Sequence, residues 1–511
     1  MPNPTAPHTL GPWHGGVDYS KPSEELTKNQ LHDMNNTVIG KAGEAAKRLG
    51  CAEYNSSAAN GTSTLTACGQ QRFTAASIRE FAISGNKFFE GNSGTFTDRT
   101  GSMTISAGDD YTWSLVNARG TLVGHNGKSG DSLIKWSAAG GNLAAWDVDS
   151  RFSTAKWVEW FDNRVWAGNL SSGTNWVWYS DINDPETFGA NNYFVFGADI
   201  EGISQYMGTL VVYTDISISQ LIPTGNSDTP YRRVDIAVSN AGGVGPVSGR
   251  SIINIPNAGQ CFVRNDGVWL FDGTRNITKI SHALDGLRYW DTIRKSRLPQ
   301  CFVVPNWMRD EIWFVWAHGG SQTDNNHIMR YDYSRRIWYG PDNGAATFNR
   351  NCGAYFDDLP HLGGYDTGTL FKHETGDTDH TSSATTAIDA SFETASPAPA
   401  GGDVSIRWTY ARTYFTLQTA ENSVQIRQVS PDEPSNTESL DMGSKYDAVG
   451  NYTIGTSEIL PPDAVRSGDT DLWGYDPHTR LEYRNGNASE DFKIRKVDLQ
   501  GITIGRLRKA S

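Results

Sequence analysis

Apolar residues along this chain fall in short runs broken by polar turns, and the runs come in pairs. The segment HIMRYDYSRRIWYGPD (327–342) holds two strands, Ile328–Tyr331 and Ile337–Tyr339, joined by a polar turn over Asp332–Arg336. The same plan of apolar strand, polar turn and aromatic-rich strand recurs in WVEWFDNRVWAGN (157–169), ISQYMGTLVVYTD (203–215), QCFVRNDGVWLFDG (260–273) and QCFVVPNWMRDEIWFVWA (300–317). Weaker copies are WSLVNARGTLVGH (113–125) and HLGGYDTGTLFKHE (361–374). Asn, Asp and Gly at the turns supply the positive φ that tight hairpins need.

The turns fall near Arg119, Asn163, Gly208, Asp266, Asp310 and Gly368, at spacings of about 44, 45, 58, 44 and 58 residues, the repeat length of four-stranded propeller blades. A lone hairpin cannot bury its apolar face, whereas four-stranded units packed around an axis can bury both faces of every sheet. The pattern predicts an all-β protein, a β-propeller of about six blades, or seven if SIREFAISGNKFFEGN (77–92) forms another. Residues 327–342 would complete the blade begun at 300–317. A β-sandwich with irregular hairpins is the competing architecture.

The flanks differ from this repeat. Residues 1–50 carry few strand signals and some local helical character, so they read as an extended arm with a helical turn or two. The propeller is expected over 51–395, followed by the Pro/Ala/Gly linker TASPAPAGGD (394–403). Alternating apolar and polar residues beyond it predict a small C-terminal β-domain over 396–511, one strand of which could return to complete a blade.

Composition narrows the function classes. A chain of 511 residues is too long for one core, so two or three domains are expected. Its formal net charge of −13 argues against gripping duplex nucleic acid, which needs clustered Lys and Arg. The five cysteines, Cys51, Cys68, Cys261, Cys301 and Cys352, show no C-x-x-C spacing and read as small buried hydrophobes in a reducing compartment. The start has no basic flank before an apolar core, and no run of 18 apolar residues predicts a membrane span.

Catalytic patterns are mostly missing: there is no G-x-x-x-x-G-K-[ST], H-E-x-x-H or G-x-S-x-G. Asp266, Asp272, Asp147 and Asp149 would suit a glycosidase only if two of them faced one another across a bond, and turn-capping is the plainer role. His125, His282, His318, His327 and His361 are scattered, and His373 and His380 flank an acidic loop at a spacing that matches no metal pattern. Trp157, Trp160, Trp166, Trp176 and Trp178 suit either sugar stacking or burial between blades, with burial favoured. Lys493, Arg495, Lys496, Arg506, Arg508 and Lys509 form a basic cluster at the end of the chain, either a solvated tail or a dock for an acidic neighbour. No catalytic, metal or cofactor-binding residue is assigned.

Four features in fixed order resemble the tail nozzle proteins of short-tailed bacteriophages, also called tail tubular protein B or head-completion proteins. The first is an N-terminal arm with a Gly-Gly start and an Asn…Arg-x-Gly finish: Gly15, Gly16, Asn35, Arg48 and Gly50. The second is FDNRVWAGN…WVWYSDINDPETFG. The third is GISQYMGTLVVYTDISISQLIPTG, followed by glycines at Gly242–Gly245 and by FVRNDGVWLFDG. The fourth is IMRYDYSRRIWY. The arm ends in AAKRLG where the family pattern has a more basic run with proline. The likeness covers roughly residues 11–375 and implies a structural, non-enzymatic virion subunit. The family's subunit forms a homo-hexameric ring below portal and adaptor proteins, meets a tail fibre or tail tip, and conducts genomic DNA without sequence-specific binding. A carbohydrate-binding or glycan-degrading propeller, and a bacterial propeller that scaffolds other proteins, are the alternatives.

Overall fold

The computed structural model describes residues 7–506 apart from 56, 109, 111, 149–152, 239–242, 345–347, 381–384, 397–403, 417–422, 430–436, 442–464, 473–479 and 489. Its described elements are strands and short 3-10 turns.

Six sheets follow one another along the chain, each with four consecutive antiparallel strands in order, and a seventh follows with a borrowed strand. Blade 1 spans 65–98, blade 2 spans 114–145, blade 3 spans 155–195, blade 4 spans 200–238, blade 5 spans 253–279 and blade 6 spans 302–342. Blade 7 takes three strands from 350–373 and its fourth, Cys51–Glu53, from ahead of blade 1. Its sheet then continues into Thr378–His380 and Thr385–Ala387. First strands pack together between blades 2 and 3, 3 and 4, 6 and 7, and, with Arg350–Phe356 against Leu65–Thr74, between blades 7 and 1. Blades 1 and 2 share one apolar cluster, and blades 4 and 5 share another. The result is a closed ring, a propeller of seven blades rather than six. The seventh is the segment at 77–92, which supplies Ser77–Ser84 and Lys87–Asn92 of blade 1.

The spacing of turns mixed two phases. Arg119, Asn163, Gly208 and Asp310 lie between first and second strands, but Asp266 lies between the second and third strands of blade 5 and Gly368 between those of blade 7. The equivalent first turns there are at Asn257 and at Asp357–Asp358, which have positive φ like the others. Removing that phase error removes the two 58-residue gaps. As expected, 300–317 and 327–342 join in one sheet. Every residue of Glu311–Trp316 is buried, as a strand covered on both faces requires.

The first fifty residues, expected as an extended arm, are short strands built into sheets. Their one described helical piece is the 3-10 turn Ser23–Glu25. His8–Leu10 and Ala45–Lys47 pair with Lys493–Arg506, and Leu31–Asn35 pairs with Ala390–Thr394. The C-terminal strands therefore do not make a sheet system alone. Both chain ends build two shared sheets of six and five strands. The strand that completes a blade comes from the N-terminal side, not from the C-terminal domain. The linker residues 397–403 lie outside the described residues.

Trp13, Phe392, Trp408, Phe415, Tyr483 and Phe492 of this chain-end domain are buried in a core that runs without a break into Ile312, Phe314, Tyr331 and Trp338 of blade 6. The hairpin at 327–342 is therefore a seat as well as a blade edge. Val17 N–H donates to Trp338 O at 2.9 Å, and Arg335 donates to Ile39 O and Gly40 O at 2.7 Å each. Gly16, at φ +71°, passes so close that a Cβ there would stand 2.5 Å from Trp338 O.

Candidate functional site

The densest chemistry lies where the N-terminal strands meet blades 6 and 7. Arg330 projects from the third strand of blade 6 into a buried pocket. Its Nε and Nη2 donate to Asp342 Oδ2 at 2.9 and 2.6 Å, and its Nη1 donates to Glu374 Oε1 at 2.7 Å. Glu311 Oε2 is 3.4 Å from Nη1, and the guanidinium lies 4.4 Å from the Trp313 ring centre. Glu311 also accepts from Tyr339 OH at 2.5 Å and from Trp313 Nε1 at 2.8 Å. Arg309 closes the rim on Glu374 at 2.7 Å.

Arg48 enters from the other side. It grips Asp379 with both terminal nitrogens, at 2.8 and 2.6 Å, and donates through Nε to Asn36 Oδ1 at 2.8 Å. Asp342 Oδ1 stands 3.8 Å from Arg48 Nε, which links the two groups. Arg350 completes the set, its guanidinium 4.0 Å from the Phe371 ring centre. Gly50 allows this approach, because a Cβ at 50 would stand 1.9 Å from Thr378 O.

Burial pushes the Glu311 carboxyl up while Arg330 pulls it down. The facing carboxylates hold Arg330 well above its ordinary value against the pull of burial, and raise Arg48 likewise. His373, buried among the guanidiniums and edge-on to Trp313, is driven well below the usual imidazole range by burial and by Arg350, so it is neutral. Dehydrating charges costs several kcal/mol each, and only complete pairing offsets it. Such a network holds its partners in one geometry.

The other candidate residues separate. Asp272 is an Asx cap whose oxygens accept from Thr274 and Asn276, which lowers its carboxyl to about 2 against burial. Asp266 lies on the Asn265–Asp266 turn beside Arg264 at 3.3 Å. Asp147 stands apart from both, and Asp149 lies outside the described residues. His318 and His327 stack with centroids 4.1 Å apart, and His361 stacks on Phe356. Among the described residues no group of three or more His, Cys, Asp or Glu is placed to hold a metal ion. Trp157, Trp166 and Trp178 are buried, while Trp160 and Trp176 are half-buried. Trp157 Nε1 donates across blades 3 and 4 to Ile200 O at 3.0 Å. Lys493, Arg495 and Lys496 lie on the last strand, with Arg506 at its end. Arg508 and Lys509 lie outside the described residues.

The resemblance motifs meet at joints. The fourth carries Arg330 and Trp338, against which the first packs Gly16. In the second, Arg164 donates to Ser180 O at 2.6 Å. Trp146 of blade 2 donates to Pro185 O of the same motif at 2.8 Å, stapling blades 2 and 3. Gly242 of the third lies outside the described residues.

Sequence reasoning named Arg48 and Gly50 only through the resemblance, and it missed Arg330, Asp342, Glu311, Glu374 and Asp379. The available signal was a charge inside an apolar strand, as in IMRYD and EIWFVW.

Two clefts open on opposite faces of the ring. One, of about 670 Å³, is lined by Tyr206, Met207, Asn254, Asn257, Asp272 and Trp307. Met207 is 80% exposed at its rim. The other, of about 660 Å³, includes Lys156, Glu201, Asp215, Arg264, Asp266 and Lys295. Burial lowers the Lys295 ammonium to about 8 as it donates to Trp290 O.

The ring axis is occupied at one level by the 3-10 turn Gly249–Ser251 and Ile252. Gly249 lies against Trp157 of blade 3 and Gly202 of blade 4. Arg250 crosses to blade 7, donating to Asn351 O, and lies 5.0 Å from the Phe302 ring centre of blade 6. No helix among the described residues is long and apolar enough to cross a membrane, which leaves β-barrels unaddressed.

No protein-family model and no curated protein matches the chain. Among solved structures, a crystal structure of an exo-β-1,3-galactanase from Phanerochaete chrysosporium with galactose is similar at 8% identity and a TM-score of 0.24, over 89% of this chain and 100% of that one. A likeness of that size carries no argument about this chain.

Proposed function

We propose that this protein is a structural subunit of a phage tail nozzle, assembling as a ring of about six copies below portal and adaptor proteins. The observation that carries the reading is the use made of the resemblance residues. Gly16 brings the N-terminal segment onto blade 6, and Arg48 and Gly50 lock it into the buried ionic joint. The propeller and the chain-end domain thereby become one stiff body, as a load-bearing ring subunit requires.

The axial turn at 249–252 bears on the route of DNA. Protein fills the propeller's own axis at that level, so the conduit in this reading is the space enclosed by several copies. A net charge of −13 suits a lumen that repels phosphate and lets DNA slide. The outer surfaces would meet adaptor, fibre and tail-tip proteins.

The test is assembly. Sedimentation and negative-stain imaging, with the protein alone and mixed with the adaptor ring of its phage, should show hollow rings of about six copies. A monomer in both conditions overturns the reading. A glycan-binding propeller is the second reading, favoured by the Tyr206–Trp307 cleft, where aromatic faces adjoin Asn254 and Asn257. Retention on a glycan array, lost in Trp307→Ala, would favour it.

A further inference from the structure

Cys68 and Cys352 face one another across the seam where the ring closes. Cys68 lies on the first strand of blade 1 and Cys352 on the first strand of blade 7. Their sulfurs are 3.6 Å apart, and both belong to one apolar cluster with Leu65, Phe356 and Leu370. Both cysteines are reduced and buried, and they are 284 positions apart in sequence.

One buried positive charge lies beside the pair. Arg250 reaches this point from the axial turn, and its Nη1 finds no hydrogen-bond partner. No ion pair to a carboxylate serves it among the described residues. The hydrogen bond to Cys352 and burial hold the Cys68 thiol well up, against the opposing pull of Arg250. A buried guanidinium without a carboxylate is costly, and the thiols within its field are those of Cys352, Cys301 and Cys68.

We propose that Cys68 and Cys352 are an oxidation site that forms a disulfide clasp between the first and last blades. With a small peroxide as oxidant, the thiolate of one cysteine attacks one peroxide oxygen, the O–O bond breaks, and hydroxide leaves to give a sulfenic acid. The thiol of the other cysteine then attacks that sulfur, the S–O bond breaks, and water leaves. Two thiols and one hydrogen peroxide become one disulfide and two waters, with two electrons passing from sulfur to oxygen. The sulfurs must approach by about 1.6 Å to reach bonding distance. Cys51, Cys261 and Cys301 have no sulfur partner at such range among the described residues. The clasp does not depend on the nozzle reading.

The experiment uses the full-length protein. After mild hydrogen peroxide treatment, unfolding and alkylation with N-ethylmaleimide, intact mass should show two of the five thiols protected, and peptide mapping should join the Cys68 and Cys352 peptides. Reduction with dithiothreitol should restore all five. Formation should be faster at pH 9 than at pH 7, since thiolate attacks. The clasp should raise the thermal midpoint by about 5 °C, and Cys352→Ser should show no such rise on oxidation. Five alkylated thiols, a cross-link elsewhere, or sulfinic acid on Cys68 without a cross-link would each overturn the proposal.

Discussion

Two joints hold this molecule together, and they use opposite chemistry. The seam between blades 7 and 1 is apolar, made by Leu65, Cys68, Ala82, Cys352, Phe356 and Leu370. The joint between blade 6, blade 7 and the N-terminal strands is ionic, made by Arg48 and Arg330 on Asp379, Asp342, Glu311 and Glu374. Apolar packing gives stability but tolerates substitution at similar volume. Buried ion pairs contribute little net stability over an apolar replacement, yet each group severely penalises the loss of its partner. The ring closes by the tolerant chemistry, and the chain ends are registered on the ring by the intolerant one. A blade seam is repeated around the axis and needs only a match of volume. The chain-end joint occurs once and must have a single register.

Substitutions can break this contrast. Arg330→Met should have the largest effect, about 3–5 kcal/mol in chemical denaturation, because Asp342, Glu311 and Glu374 are left facing one another. A loss no greater than that of an apolar truncation would dissolve the distinction. Leu65→Ala at the seam should cost about 2–4 kcal/mol, set by the cavity it leaves. Gly50→Ala should cost about 1–3 kcal/mol through displacement of the Thr378 backbone. Its signature should be faster hydrogen exchange at residues 45–53, with blades 2–4 unchanged.

A lone carboxyl sharpens the same point. Glu159 sits half-buried on the first strand of blade 3, accepts from Trp160 N–H, and has no ion pair among the described residues. Burial pushes it up to about 7. Its folded value lies above its unfolded one, so the folded state binds the extra proton between them. Its contribution to stability is greatest below about pH 4.5 and falls as pH rises to 7. Glu159→Gln should flatten that part of the stability curve by about 1–2 kcal/mol after allowance for solvent. At the small end, Arg484→Ala breaks an exposed pair with Asp389 and should leave the unfolding midpoint within experimental scatter.

The repeat was legible because hairpins announce themselves locally. Alternating aromatics and Asn, Asp or Gly turns are set by neighbours in sequence, and they marked the blades even where second turns stood in for first turns. Ser77–Asn92 was readable as a blade for the same reason. The N-terminal segment was not, since His8–Leu10 and Ala45–Lys47 are short strands whose partners lie more than 440 positions away. Alone they show no alternation long enough to register. Arg330 and Glu311 looked like stray charges because a charge declares its partner only once the chain is folded.

What the amino-acid order determined unaided was the β-hairpin repeat, set by near neighbours, together with the aromatic content and the acidic balance, which are composition. The tertiary structure alone decided that there are seven blades, that both chain ends share one domain, and that four carboxylates converge on Arg48 and Arg330. Those features depend on pairings between residues distant in sequence, where geometry rather than local preference selects the partner.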